Sequence, residues 1–483
     1  MPCTAFASNL SARDRARFLH DTIPPDLFRT GDSGDRVPWR ISPEPFPLSP
    51  ATAAVIKRLG DDLLAFYRAL NALYLRSARG TAPAFVAEYL DRGKPEQIVK
   101  LARQNRFKND LPCVIRPDLI LTSDGFVATE LDSVPGGMGF TGAMMHAYCK
   151  LGDESVGGAD GIERGFAAMA RTRTQLEHPV VAIVVSEESA DYRNELRWLA
   201  TAATATDTID AYVCAPDDVV FTEEALFLRT PDGRERKIDL LYRNFELFDL
   251  ANVPKHELML YAARHRRVVM TPPPKAHLEE KLSFALLHHP HLEAFWRAEL
   301  GSGVYESLRR LFPKTWVLDP RPLPPQAVIW DLFAGNVPVS DWRALATLGK
   351  SERAFVVKPS GFSPLAWGSR GVRVADDLTR DEWAAALDEA LRAFDITPYI
   401  LQRFHKGTRV RQQSYDPQRD EVRTFEGRVR LCPFYFVVGD RTQLGGILAT
   451  IAPADKRVIH GMQDAVMTSC IVRDTPSAES ERP

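Results

Sequence analysis

Three carboxylates in the first third of the chain have the types and spacing to hold a hard cation. Asp118 stands in Arg116-Pro117-Asp118, and twelve residues later comes Glu130-Leu131-Asp132-Ser133-Val134-Pro135-Gly136-Gly137. The stretches VIRPDLIL and FVATEL, separated by SDG, read as a hairpin turning at Asp124–Gly125. Alternation along a strand puts Glu130 and Asp132 on one face, and the partner strand can bring Asp118 beside them. Three acids on one face repel each other and lose solvation, so a cation is expected among them. Mg2+ suits such a place, being hard, oxygen-loving and commonly shared between carboxylates and phosphates. Arg116 is near enough in sequence to contact the same phosphate. The alternative is an exposed hairpin with solvated acids.

A second constellation lies in AFVVKPSGFSPLAWGSRGVRV. Lys358 closes an apolar strand and is followed by Ser360, Gly361, Gly368 and Gly371. Amides of such a loop can fold over phosphates while a strand-borne ammonium neutralises them. A surface strand with a snorkelling lysine is the plainer reading. Further on, PYILQRF is an apolar strand with a polar end, able to offer main-chain groups to an adenine edge.

Two other nucleotide patterns fail on context. Ala344 to Ser351, ALATLGKS, follows a helical pattern and precedes a strand, the reverse of what a phosphate loop needs. Gly137-x-Gly139-x-x-Gly142 lacks a following strand with a ribose-binding acid. His288-His289-Pro290-His291 reads as a helix end rather than a metal site.

Composition bounds the partners. The chain has 483 residues, or about three domains at roughly 150 residues each. Lys and Arg number 61 against 63 Asp and Glu, for a formal charge of −2. The balance argues against general binding to nucleic acid or anionic membrane, which needs basic excess. Small-molecule partners are expected. An apolar fraction of 45% excludes a disordered or fibrous chain. Six dispersed cysteines without a C-x-x-C pair read as reduced or buried thiols. No apolar run approaches the ~18 residues of a span, and the N-terminus lacks an apolar leader core. A cytoplasmic protein is expected.

The elements that must position these residues follow. Residues 1–110 read as a helical region, with a helix start at Ser49–Pro50 and a further helix through 84–101. Residues 111–150 hold the acidic hairpin and the Gly-rich loop. Residues 151–275 alternate helix and strand, with VVAIVV a strand buried on both faces. Residues 276–473 carry the lysine and adenine segments, including a helix opened by the Thr379-x-x-Glu382 capping box. Residues 474–483 look like a disordered tail.

Together the motifs resemble the ATP-grasp superfamily, an α/β (α+β) fold. Its lysine–proline, Ser/Gly loop and Gly-Val segment matches Lys358-Pro359 through Gly371-Val372, and its adenine strand matches Leu401 to Phe404 with Gly407. Its Arg-x-Asp, hairpin and Glu-x-Asn-x-x-Pro-Gly segment matches Arg116, Asp118, Glu130, Pro135 and Gly136, with Asp132 in place of Asn. Here the metal segment precedes the lysine segment, as in a circularly permuted ATP-grasp such as the synthetase domain of glutathionylspermidine synthetase and its relatives.

The resemblance implies a βαβ pre-ATP-grasp-like domain, ATP and Mg2+ as cofactors, and an ATP-dependent joining of a carboxylate to an amine through an acyl phosphate. It implies Asp118, Glu130 and Asp132 on the metal, and Arg116 on the transferring phosphoryl group. Lys281, Lys358, Ser360, Gly361, Gly368 and Gly371 would lie on the phosphates, with Gln402 and Phe404 on the adenine. Gly136, Gly137 and Thr141, in a Gly-rich turn opening a helix, would hold the acceptor substrate. A catalytically silent nucleotide-binding scaffold or sensor, and a small-molecule kinase of the same fold, are the alternatives.

Overall fold

The structure is a computed structural model that describes residues 10–28, 39–230, 232–456, 458–459 and 465–473, with the backbone alone for 367–369. The tail 474–483 and Cys3 lie outside the described residues.

Three sheets frame the molecule. The largest has eight strands, and its long strand Glu421–Val438 pairs antiparallel with Arg441–Pro453 on one side and Val114–Thr122 on the other. Val114–Thr122 in turn pairs with Gly125–Asp132, so the acidic hairpin forms an edge of this sheet. The second sheet is parallel, in the order Val269–Thr271, Leu240–Asn244, Val180–Val185, Asp210–Cys214. Every residue of Val180–Val185 is buried, as its unbroken apolar run requires. The third sheet is antiparallel, in the order Thr315–Val317, Tyr399–Arg403, Phe355–Pro359, Arg373–Val374, and carries Lys358.

Local sequence explains the helices that hold these sheets. Ser49 caps Pro50–Ala78 by accepting from Thr52 N–H, and Leu59, Leu63, Phe66, Tyr67, Leu70 and Leu73 form its buried stripe. Thr379 and Glu382 form the expected capping box on Arg380–Arg392. The single helix expected over 84–101 is instead two, Ala84–Asp91 and Glu96–Ala102. Gly93, at φ 72°, and Pro95 break it.

The cysteine expectation needs correction at one position. Cys113, Cys214, Cys432 and Cys470 are free and buried, but Cys149 is disulfide-bonded. Distance along the chain does not bar pairing in space, and Cys149 sits half-buried in the last turn of helix Met138–Lys150. Among the described residues, no helix is long and apolar enough to cross a membrane.

Candidate functional site

A cavity of about 300 Å³ lies against the acidic hairpin of the large sheet, and its wall includes Arg116, Asp118, Glu130, Asp132, Lys281 and Arg430. The hairpin register sets its charged face. Asp118 is opposite Glu130 and Arg116 is opposite Asp132. The register then slips, because Leu119 faces Ala128. Thr129 is thus a bulge residue without a ladder partner, a feature common beside functional sites. Its carbonyl accepts from Lys358 Nζ at 2.9 Å.

Asp118 is buried and already engaged. Arg430 Nη1 donates to its Oδ2 at 2.9 Å, Arg116 Nε lies 3.3 Å from Oδ1, and Cys432 Sγ lies 3.4 Å from Oδ1. Burial pushes its carboxyl up, but Arg430 and Arg116 outweigh burial and hold it below the usual carboxylate range. Asp132 goes the other way. Burial raises it above the ordinary value, with Asp118 and Glu130 adding repulsion against the pull of Arg116 and the Val134 N–H.

Arg116 bonds within the protein through both terminal nitrogens, while its buried Nε makes no hydrogen bond. Its Nη1 donates to Gly136 O at 2.9 Å and its Nη2 to Asp132 Oδ2 at 3.0 Å. Two lysines converge on Glu130: Lys358 Nζ is 3.6 Å and Lys281 Nζ 3.8 Å from Oε1. Burial lowers the Lys358 ammonium, with repulsion from Lys281, while Glu130 and Asp118 oppose the shift.

The donor chemistry fits Mg2+ in part. Glu130 and Asp132 keep 33% and 29% of their side chains open, and a pair of carboxylates completed by phosphate oxygens is an ordinary Mg2+ site. Asp118 departs from the expected metal set, because both its oxygens face cations of the protein. Among the described residues, no three His, Cys, Asp or Glu side chains gather closely enough to hold a metal by themselves.

Several residues expected at phosphates or substrate are used otherwise. Ser360 Oγ donates to Glu280 Oε1, and Gly361 N–H donates to Glu280 Oε2 at 3.4 Å. The Gly-rich loop therefore spends its first donors on a carboxylate of the chain. Gly371 N–H donates to Leu365 O at 2.8 Å, and Gly368 falls in the helical turn Pro364–Ser369.

At the opposite wall, Gly137 and Phe140 N–H groups donate to Glu195 at 2.5 and 3.3 Å. The helix N-terminus expected to greet a substrate anion already holds an internal one. Gly136 reaches the cavity wall, but Thr141 does not, since the helical turn points its hydroxyl back to Gly137 O at 2.6 Å. Gln402 and Phe404 do not line this cavity either. Gln402 Nε2 donates to Thr315 Oγ1 at 3.2 Å in the middle of the third sheet, and Phe404 N–H donates to Ala354 O at 3.0 Å.

Among the wall residues that sequence reasoning missed are Glu195, Glu246, Glu279, Glu280 and Tyr192. Burial raises the Glu195 carboxyl to about 7 against its N–H donors. Burial raises Glu246 well above the ordinary range, and Glu279 and Asp132 add repulsion. Glu279 is bonded by the buried Arg243. The one local signal was the pair Glu279-Glu280 directly before Lys281; Glu195 and Glu246 come from segments with no distinguishing pattern.

No protein-family model matches the chain, and none of the curated proteins matches it in sequence. Solved structures do. A glutathione synthetase-like effector from Globodera pallida is 14% identical with a TM-score of 0.59, over 96% of this chain and 98% of its own. A Methylobacillus flagellatus protein provisionally named gamma-glutamylcysteine synthetase is 10% identical with a TM-score of 0.37, over 82% of this chain and 84% of its own. The first likeness shows that this chain shares the fold of the effector along nearly its whole length.

Proposed function

We propose that the chain is an ATP-dependent ligase of the permuted ATP-grasp kind, joining a small carboxylate to an amine. The observation that carries this reading is the convergence of Lys281 and Lys358 on Glu130, beside Asp132, at one cavity. Lysines from separate segments facing carboxylates suit a polyphosphate that brings its own divalent cation. Glu130 and Asp132 would hold Mg2+, which supplies charge neutralisation at the phosphates.

The remaining residues then have definite work. Lys281 and Lys358 would bind phosphate oxygens, and Glu130 would hold the cation that they now face. Asp118 fixes Arg116 and Arg430 so that their positive charge faces the reacting end without reorganising. The γ-phosphoryl group passes to the substrate carboxylate, and the amine displaces phosphate from the acyl phosphate to leave an amide. No protein nucleophile is needed, because positioning and electrostatics supply the catalysis. Glu246 and Glu195 on the far wall are raised toward their neutral form by burial, so they offer hydrogen bonds to the arriving amine rather than net negative charge.

A second reading, nucleotide binding without turnover, is favoured by the internal carboxylates at the Gly-rich loop and at the helix N-terminus. The two are separated by measuring ADP release from Mg-ATP across a panel of small carboxylates and amines. A ligase releases ADP when a suitable pair is present. Binding of Mg-ATP with no release from any pair supports the second reading, and absence of binding removes both.

A further inference from the structure

Glu280 lies in a charged cluster that joins three distant segments. Lys94 Nζ meets its Oε1 at 2.6 Å, with 1% of the Lys94 side chain and none of the Glu280 side chain exposed. Ser360 Oγ donates to the same oxygen, and Gly361 N–H donates to Oε2 at 3.4 Å. Both carboxylate oxygens are thereby fixed from separate sides. The backbones press together as well, since a Cβ on Gly361 would lie 1.9 Å from Glu279 O. Lys94 Nζ also sits 5.6 Å from the Phe362 ring centre, inside the same loop.

Sequence adjacency turns this cluster into a gauge. Glu280 directly precedes Lys281, and Ser360 follows Lys358 by two residues. Consecutive Cα atoms are about 3.8 Å apart, so fixing Glu280 against Ser360 fixes the span between the two lysines. Both lysine ammonium groups face Glu130 from that span.

We propose that Glu280, braced by Lys94, is a positioning residue that sets the separation of Lys281 and Lys358 at the phosphate site. The proposal rests on the reading of those lysines as phosphate ligands. A buried ion pair adds little net stability over an apolar pair of similar volume, whereas its directional bonds hold geometry. The clip therefore acts on where the lysines sit more than on whether the chain folds.

The test compares wild type, Glu280→Gln and the double variant Lys94→Met/Glu280→Met. Four quantities are measured: acetylation rates of Lys281 and Lys358 by peptide mass spectrometry, amide exchange over residues 360–371, Mg-ATP affinity by titration calorimetry, and the thermal midpoint. The double variant also removes the acceptor of Ser360 and Gly361, so its midpoint is expected to fall modestly with the fold kept. Its Lys358 should acetylate about tenfold faster, and its loop amides should lose about tenfold of their protection. Mg-ATP affinity should fall by about tenfold with them.

Glu280→Gln keeps the shape and carries the same readouts, with smaller changes, should the double variant fail to fold. Unchanged Lys358 reactivity and loop exchange in a folded variant overturn the proposal. If wild type binds no Mg-ATP while Lys358 reactivity still rises in the variants, the nucleotide reading falls and the positioning role stands.

Discussion

Lys358 Nζ lies 3.6 Å from Glu130 Oε1, although the lysine belongs to the small antiparallel sheet and the glutamate to the edge of the large one. The bulge at Thr129 makes the approach possible by leaving a carbonyl for the ammonium at 2.9 Å. An opposite charge from another sheet meets the acidic face just where the hairpin departs from regular pairing.

Replacing Glu130 with Gln keeps its volume and removes the charge that faces both lysines. Without it the site is more positive, so ATP alone should bind no more weakly than to wild type. The gain from Mg2+ should disappear, because one of two carboxylate ligands is gone. Titration calorimetry with and without Mg2+ reads this directly. An unchanged Mg2+ dependence would remove Glu130 from the metal site.

Asp118 and Asp132 should behave differently despite sharing a face. Asp118→Asn leaves Arg430 buried without its anion and Arg116 with Asp132 alone, a loss of about 3 kcal/mol. Asp132→Asn acts on a side chain that is 29% open and keeps an oxygen for the Val134 N–H, so about 1 kcal/mol is expected. Urea unfolding of both variants decides the matter. Wild-type stability in Asp118→Asn together with lost Mg-ATP binding would return Asp118 to the metal set.

His288 makes the fold sensitive to acid. Burial lowers its imidazole to about 4 from 6.5, with Arg309 and Lys314 adding repulsion while its bond to Phe312 O opposes. Both states are neutral above pH 6.5, but the unfolded chain protonates first as pH falls. Stability is therefore lost between pH 6.5 and 4, by about 3 kcal/mol for this residue. His288→Gln should flatten that part of the stability–pH curve. A slope equal to wild type would contradict the assignment.

Much of this architecture was readable because it depends on short-range physics. The hairpin, the Thr379 capping box, the apolar strand at 180–185 and the shared face of Glu130 and Asp132 all follow from local pattern, although the turn falls at Ser123–Asp124, one residue before the expected Asp124–Gly125. What escaped was set by distant contacts. Nothing near Asp118 announces Arg430, and nothing near Ser360 announces Glu280. The donors at Gly137 and Gly361 looked available because a sequence does not show which carboxylate will fill them. Gln402 and Phe404 were expected at the adenine; sheet pairing and Thr315 hold Gln402, and Phe404 N–H is held by Ala354 O.

The central claim is that Lys358 and Glu130 belong to one Mg-ATP site. Thermal unfolding of wild type and Lys358→Met, each with and without Mg-ATP, tests it most directly, since Met keeps the apolar stem and deletes the ammonium. A ligand at ~100 times its dissociation constant stabilises by about 2.7 kcal/mol, a plain shift of the midpoint. A shared site gives a Mg2+-dependent shift in wild type that is lost in Lys358→Met. No shift in wild type, or an equal shift in the variant, would contradict it.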